Sequence, residues 1–225
     1  MDTRSESIAA IRISDAAYFF REVSGFRLTW THEEQFDAVA IYSSTEIEGW
    51  HVLAFRGTEE GADWRVTANV WPLLDMGGGA QAHRGYGLAW QALKDDVLAQ
   101  LAKLNISHLT VTGHSLGGAL ATLAAADLPP GDLHLITFGN PRATNQLLAE
   151  VIGQTHRVTR YVHGNDLCPL YPLGDLHHVA PAVQLGERGW WLYASAAADH
   201  KPFRYARALG YPMSGGCSKT WGLLS

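Results

Sequence analysis

One serine of the chain lies within the pattern G-x-S-x-G, in the stretch Thr112-Gly113-His114-Ser115-Leu116-Gly117-Gly118. This pattern is typical of a strand that turns sharply into a helix, with the serine at the apex. The turn strains the serine backbone, and a side chain two residues before or after it would collide with neighbouring elements. We therefore predict that Ser115 is a nucleophile, the alternative being an ordinary glycine-rich turn.

A serine nucleophile needs a base, and the base needs an orienting acid. Where this turn carries the nucleophile, the acid follows it in the chain and a histidine comes last. Asp166 comes at a turn after the strand-like run 159–163, which makes it the predicted acid. Three other aspartates are weaker candidates: Asp175 as the reserve, Asp132 in a Pro-Pro-Gly-Asp turn, and Asp199, which directly adjoins the predicted histidine.

The base must be chosen among 11 histidines. His200 lies in the loop after the last predicted strands, where the histidine of such a site belongs, and it is the predicted base. His178 is the alternative, although it begins a strand-like run together with His177. His114 adjoins the serine and is expected to point elsewhere. His134 and His156 flank a strand and a helix and are expected at the surface.

A developing oxyanion needs a pair of hydrogen-bond donors. The backbone N–H of Leu116, directly after the nucleophile, is the first predicted donor. Thr58, in Phe55-Arg56-Gly57-Thr58 at the end of an earlier predicted strand, is the second. The alternative for Thr58 is that it only caps a turn.

The elements that must position these residues alternate between strand and helix patterns, which indicates βαβ units and a parallel sheet. The predicted strands are 38–42, 50–55, 108–112, 134–138, 158–163, 176–185 and 188–193. The predicted helices are 7–20, 86–104, 116–127, 144–153 and 202–209. We find no linker or repeat that divides the chain, so residues 1–225 are predicted to form a single α/β domain.

The net charge and the lengths of the apolar runs argue against nucleic acid as a partner and against a membrane-spanning helix. A net charge of −5 offers no basic field for nucleic acid. No apolar run reaches the roughly 20 residues of a membrane-spanning helix. The first six residues do not resemble a secretory signal, so we expect either a cytoplasmic protein or a chain whose leader has been removed. Cys168 and Cys217 show no metal-ligand spacing and are interpreted as free thiols, a pair between them being the alternative.

Several ordered blocks resemble the class 3 lipase family, which includes fungal triacylglycerol lipases. They span the chain from about Phe36 to about Leu209: Ala54–Thr58, Asp63-Trp64, Ala82–Tyr86, Gly113–Ala119, Thr137–Arg142, the strand that leads to Asp166, and Asp199-His200. The resemblance implies an α/β-hydrolase fold with a mostly parallel central sheet flanked by helices. It implies a carboxylester hydrolase, a triacylglycerol lipase or an esterase, that needs no metal or cofactor.

By this resemblance the triad falls on Ser115, Asp166 and His200, and the oxyanion donors on Thr58 and Leu116. It also places a lid at 61–74, which would make transient contact with a lipid surface; a fixed helix over the core is the alternative. Gly77-Gly78-Gly79 would then act as a hinge for the lid or as a plain linker. A rival interpretation is a non-catalytic binding or regulatory protein on a lipase-like scaffold.

Overall fold

A central sheet organises the protein. The computed structural model describes residues 2–34, 37–57, 71–189 and 196–211. Within these ranges the strands are β1 (Phe26–Glu34), β2 (Asp37–Ser44), β3 (Trp50–Phe55), β4 (Leu74–Gly77), β5 (Ala80–Ala82), β6 (His108–His114), β7 (Leu133–Phe138), β8 (Arg157–His163) and β9 (Ala182–Leu185). The helices are α1 (Thr3–Ala16), α2 (Arg84–Leu101), α3 (Leu116–Asp127), α4 (Gln146–Thr155), α5 (Ala196–Asp199) and α6 (Pro202–Ala208).

Seven of the described strands pair in the order β1-β2-β3-β6-β7-β8-β9. The first two pairings, β1 with β2 and β2 with β3, are antiparallel. Every pairing from β3 to β9 is parallel. The predicted mostly parallel sheet is therefore confirmed, and the carboxyl ends of β3, β6, β7 and β8 meet at one edge.

Helices cover both faces of this sheet. Successive side chains of a strand point to opposite faces, so each face has side chains that pack against a helix. In β3, Leu53 and Phe55 pack with α2 and α3 on one face. Val52 and Ala54 of the same strand pack with α1 on the other face. The strand is buried along its whole length, as expected for a central parallel strand covered on both sides.

Helix α3 follows the Ser115 turn and lies deep in the molecule. Ten of its residues, Leu116 to Ala125, are buried. Glycine and alanine dominate this segment, and their small volume lets the helix axis approach the sheet closely. A Cβ atom on Gly118 would lie 2.6 Å from the Cβ atom of Asn140, so even one added carbon would push helix and sheet apart.

Two predicted strands need correction, and one strand of the central sheet was not predicted. The predicted strand 176–185 is a strand only at Ala182–Leu185, because the segment before it is a loop that makes isolated bridges and turns. In the predicted strand 188–193, Arg188 and Gly189 are not in a strand, and 190–193 lie outside the described residues. Strand β1 went unrecognised, although its inward and outward side chains alternate with the period of a half-exposed strand.

The expected surface position of His134 and His156 is wrong. His134 is fully buried and His156 is 7% exposed. His134 is the second residue of β7 and lies beneath α1, where its two ring nitrogens contact Glu6 and Thr159. Polar side chains at strand ends are buried here because a helix covers that edge and supplies hydrogen-bond partners.

Candidate active site

The Ser115 turn has the strained geometry that its pattern predicts. Ser115 links the end of β6 to the start of α3 with φ 57° and ψ −130°, a left-handed backbone that residues with a Cβ atom rarely adopt. A Cβ atom on Gly113 would lie 2.2 Å from the backbone of Gly117, and one on Gly117 would lie 2.2 Å from the carbonyl oxygen of Phe55. Both glycines are needed for the close approach of helix and strands.

The structure brings Ser115, His200 and Asp166 into one chain of hydrogen bonds. The Oγ atom of Ser115 lies 2.9 Å from Nε2 of His200. On the other side of the ring, Nδ1 lies 3.0 Å from Oδ1 and 2.9 Å from Oδ2 of Asp166. A carboxylate can only accept, so Nδ1 carries a proton and donates it to Asp166. Neutral His200 then has a bare Nε2 that accepts from the serine hydroxyl.

Asp166 is held in place by its surroundings. It follows β8 in a turn, is 5% exposed, and its Oδ1 accepts from the backbone N–H of Cys168 at 2.9 Å. Its Oδ2 accepts from the hydroxyl of Tyr205 on α6. The buried carboxylate thus has donors on both oxygens besides His200, which satisfies a charge that burial alone would make costly.

The structure does not bring the other candidate acids to Ser115. Asp199 accepts from the backbone N–H of Asn165 at 2.9 Å and lies 3.4 Å from His163. Asp132 is largely exposed and lies 2.9 Å from His108, whose strand begins at the opposite edge of the sheet. Asp175 is an exposed loop residue.

His178, the alternative base, is engaged elsewhere. Its Nε2 atom hydrogen-bonds with the carbonyl oxygen of Pro169 at 2.8 Å. Burial first, and then the positive charges of Arg160 and Arg142, lower the pKa of His178 to about 4.

Of the two predicted oxyanion donors, Leu116 is described and Thr58 lies outside the described residues. Leu116 is the first residue of α3, and the N–H groups of a first helical turn have no acceptor within the helix. They point toward the helix N-terminus, where the helix dipole favours negative charge. The Leu116 N–H group therefore suits an oxyanion formed beside Ser115.

The predicted lid, 61–74, is described only from Trp71 onward. Trp71 is 63% exposed, whereas Leu74 already begins β4. Gly77-Gly78-Gly79, predicted as a hinge for the lid or as a plain linker, form the turn of the hairpin between β4 and β5, so they are not a plain linker. All three have positive φ angles, which explains why glycine is needed there.

Two residues of the site, Cys168 and Tyr205, were not predicted from the sequence. The thiol of Cys168 hydrogen-bonds with Ser115, and burial together with the charge of Asp166 raises the pKa of that thiol. Tyr205 donates to Asp166, as described above. Cys168 is two positions from the predicted acid in the chain, a hint that was available. The position of Tyr205, five residues after His200, was a weaker indication of a role in the site.

Within the described ranges no group of three or more His, Cys, Asp or Glu side chains is arranged to hold a metal ion. The same part of the chain has no helix that is long and apolar enough to cross a membrane.

Residues 52–176, more than half of the chain, match the model of the lipase (class 3) family. The chain belongs to the class 3 lipase family. The chain is similar to secreted mono- and diacylglycerol lipase A of Penicillium cyclopium, with 34% identity over 142 residues, which covers 58% of this chain and 46% of that protein. It is 35% identical over 146 residues to secreted mono- and diacylglycerol lipase 1 of Fusarium solani, covering 60% of this chain and 43% of the other.

The chain thus spans a little under half the length of these curated relatives. Solved structures match over more of their length. The mono- and diacylglycerol lipase from Aspergillus oryzae superposes with a TM-score of 0.71 at 25% identity, covering 81% of this chain and 79% of that one. A lipase from Rhizopus microsporus var. chinensis superposes with a TM-score of 0.67 at 25% identity, covering 83% of this chain and 75% of that one. The predicted α/β-hydrolase fold is confirmed.

Proposed function

We propose that the protein is a carboxylester hydrolase with Ser115 as nucleophile, His200 as general base and Asp166 as the acid that orients it. The observation that carries the proposal is the hydrogen-bonded chain from Ser115 Oγ through the His200 ring to a buried carboxylate. This is the arrangement that activates a serine hydroxyl for attack on a carbonyl carbon.

In the proposed reaction, Nε2 of His200 takes the hydroxyl proton while Oγ of Ser115 bonds to the ester carbonyl carbon. The carbonyl oxygen becomes an oxyanion that accepts a hydrogen bond from the Leu116 N–H. Thr58 is the second donor proposed from the sequence. When the intermediate collapses, the ester C–O bond breaks and His200 gives its proton to the departing alcohol. A water molecule then repeats these steps on the acyl-enzyme and releases the carboxylic acid.

Acylglycerols are the proposed substrates, because the relatives that the chain resembles are named mono- and diacylglycerol lipases. The surface near the nucleophile supports a lipid substrate. Directly after Cys168, the exposed fractions of Leu170, Tyr171 and Leu173 are 48%, 41% and 72%. Apolar groups exposed within five positions of Cys168, whose thiol contacts Ser115, suit an apolar acyl chain or a lipid surface.

Transient contact with a lipid surface through residues 61–74 is the further part of the proposal. Its support lies in the sequence, where this segment carries Trp64, Val66, Val70 and Trp71. An amphipathic segment of this kind would cover the site in water and turn its apolar side to lipid when open.

The test measures initial hydrolysis rates on p-nitrophenyl esters of increasing chain length and on mono-, di- and trioleoylglycerol. Ser115→Ala should lower kcat by at least about 10³-fold. Asp166→Asn should lower it by about 10⁴-fold, because the amide favours the wrong tautomer of His200. The matched controls, Asp175→Asn and His178→Ala, should keep kcat within about threefold.

Two outcomes would overturn the proposal. Undiminished hydrolysis by folded Ser115→Ala would exclude this serine as the nucleophile. Failure of the unaltered chain to hydrolyse any ester, with lipid surface present, would favour the non-catalytic binding protein. A jump in rate as the substrate passes from monomers to aggregates supports the lid, and a rate that only follows substrate concentration contradicts it.

A further inference from the structure

His114, the residue before the proposed nucleophile, has both of its ring nitrogens engaged. It is 3% exposed. Its Nε2 atom lies 2.6 Å from the backbone carbonyl oxygen of His200. Its Nδ1 atom lies 2.9 Å from the hydroxyl oxygen of Tyr18. A side chain that the sequence places beside the serine, pointing away, therefore contacts the backbone of the proposed base.

The partners determine the direction of each bond. A carbonyl oxygen can only accept, so Nε2 of His114 must carry a proton and donate it to His200. Burial, and then the electrostatic effect of the nearby His200 ring, hold the pKa of His114 well below its ordinary value, so the His114 ring is neutral and its Nδ1 atom is bare. The Tyr18 hydroxyl is then the donor to Nδ1. The bonds run in one direction, from Tyr18 through His114 to the peptide group of His200.

Tyr18 lies in the turn that follows α1 and is 5% exposed. It also lies against the exit of β3, since a Cβ atom on Gly57 would be 2.2 Å from its hydroxyl oxygen and 2.7 Å from the carbonyl oxygen of His114. Three segments that are distant in the chain therefore meet at this point: the end of α1, the Ser115 turn and the end of β3.

His200 needs such an anchor because it lies between two short helices, α5 and α6, and its ring must meet two partners at once. The ring makes hydrogen bonds of about 2.9 Å on opposite sides, to Ser115 and to Asp166. A rotation of the His200 peptide group would move the ring relative to both. The rings of His114 and His200 also pack with centroids 4.7 Å apart, which restricts that movement further.

We propose that Tyr18 and His114 are positioning residues that fix the backbone of His200, so that the end of the first helix sets the alignment of the base with Ser115. This inference rests on the proposed ester hydrolysis. It predicts a loss in kcat with little change in KM, because misalignment affects the proton transfer and leaves the binding surface for the substrate in place.

The first experiment compares Tyr18→Phe with Tyr42→Phe. Each substitution removes one buried hydroxyl; that of Tyr42, in β2, donates to the carbonyl oxygen of Arg21 at 3.0 Å. We expect Tyr18→Phe to lower kcat by about 10- to 100-fold with KM within about twofold, and Tyr42→Phe to leave kcat within about twofold. Urea unfolding of both variants separates alignment from stability.

The second experiment asks whether the donor to His200 is what matters. Gln and Met have similar length, but only Gln offers an N–H that can replace Nε2 of His114. We expect His114→Gln to retain at least about tenfold more kcat than His114→Met. Equal loss in the two variants would show that packing alone is lost, which contradicts the proposal. Should neither variant fold, the Tyr18→Phe comparison decides.

A third measurement is independent of hydrolysis. Nitrogen NMR of histidine-labelled protein, with His114 assigned through a His114 variant, should show a neutral ring protonated at Nε2 from about pH 5 to about pH 8. A proton on Nδ1, or a second proton gained in that range, would overturn the inference. Equal kcat in Tyr18→Phe and Tyr42→Phe would also overturn it while leaving the proposed hydrolysis intact. An inactive unaltered chain would instead refute the proposed function.

Discussion

Tyr205 donates a buried hydrogen bond to Oδ2 of Asp166, the same oxygen atom that lies 2.9 Å from Nδ1 of His200. Tyr205 is fully buried. Burial, and then the negative charge of Asp166, raise the pKa of its phenol well above the ordinary value. The phenol therefore stays protonated and remains a donor at neutral pH.

We expect Tyr205→Phe to lower the free energy of unfolding by about 1.5–3 kcal/mol, the usual range for a hydrogen bond to a charged group. The control is Tyr161→Phe, which removes a buried hydroxyl bonded to neutral Ser7 at 3.0 Å and should cost only about 0.5–1.5 kcal/mol. Urea unfolding gives both values. Only Tyr205→Phe should also lower kcat; equal costs and unchanged kcat would show that Asp166 does not depend on this donor.

Gly139 lies where any side chain would enter the site. Its φ angle is +58°, and a Cβ atom would lie 2.5 Å from Oδ2 of Asp166 and 3.3 Å from Nδ1 of His200. We expect Gly139→Ala to reduce kcat by more than about 100-fold, because the Asp166–His200 pair must shift. Gly131→Ala is the control, since nothing lies within 4 Å of the added carbon. A fully active Gly139→Ala enzyme would contradict the geometry of this pair.

Cys168 should react slowly with iodoacetamide. Burial and the charge of Asp166 raise its thiol pKa, so little of the reactive thiolate is present at neutral or mildly alkaline pH. In a Cys217→Ser background, we expect the folded chain to be alkylated more than about tenfold more slowly than the urea-unfolded chain at pH 8. The measurement is mass spectrometry against time, with Cys168→Ser as the unreactive control.

Alkylation of Cys168 should also remove hydrolysis in proportion to the fraction modified, because the adduct would lie beside Ser115. Rapid modification of the folded chain, or an alkylated protein with full activity, would contradict this arrangement of thiol and serine.

Glu6 links α1 to the edge of the sheet opposite Ser115. Its carboxylate is fully buried. It contacts His108 Nε2 and Thr110 Oγ1 at 2.7 Å, and His134 Nδ1 and Arg157 Nη2 at 2.9 Å. Burial by itself would raise the pKa of Glu6, but these bonds outweigh it and lower the pKa far below its ordinary range. The bond to Glu6 in turn raises the pKa of His108.

The signs of these shifts predict how stability depends on pH. The lowered pKa of Glu6 means that its contribution is present above the ordinary glutamate pKa and is lost as the pH falls toward the folded value. The raised pKa of His108 means that its contribution is present below the ordinary histidine pKa and is lost as the pH rises through the folded value. The two contributions act together between about pH 5 and about pH 6.5.

Glu6→Gln should therefore lower the free energy of unfolding by about 3–5 kcal/mol in that window, with a smaller difference at pH 9. Urea unfolding from about pH 4 to about pH 9 measures this loss in free energy. The control is Glu46→Gln, a substitution at an exposed glutamate. If the free energies of unfolding of the unaltered protein and of Glu6→Gln differ by the same amount at pH 5 and at pH 9, the charge of His108 does not contribute.

Local patterns were enough to predict Ser115 and the elements around it. The G-x-S-x-G turn depends on residues within two positions of the serine, and strand β3 was predicted with its observed bounds. The chain order of serine, acid and histidine then narrowed the choice to Asp166 and His200, which the structure places in contact with Ser115 as a chain. The Ser115 turn and strand β3 could be predicted because their backbone geometry is imposed by adjacent residues.

What only the tertiary structure decided is which distant side chains meet. Ser115 and His200 are 85 positions apart, and Tyr18 and His114 are 96 apart. No local pattern reports such a contact, because it depends on how α1 and α6 stack on the sheet. The same stacking buries His134 with Glu6, 128 positions away, although its neighbours in the chain suggested the surface. A polar side chain is buried where a covering element supplies its hydrogen-bond partners, and that element is set by the fold as a whole.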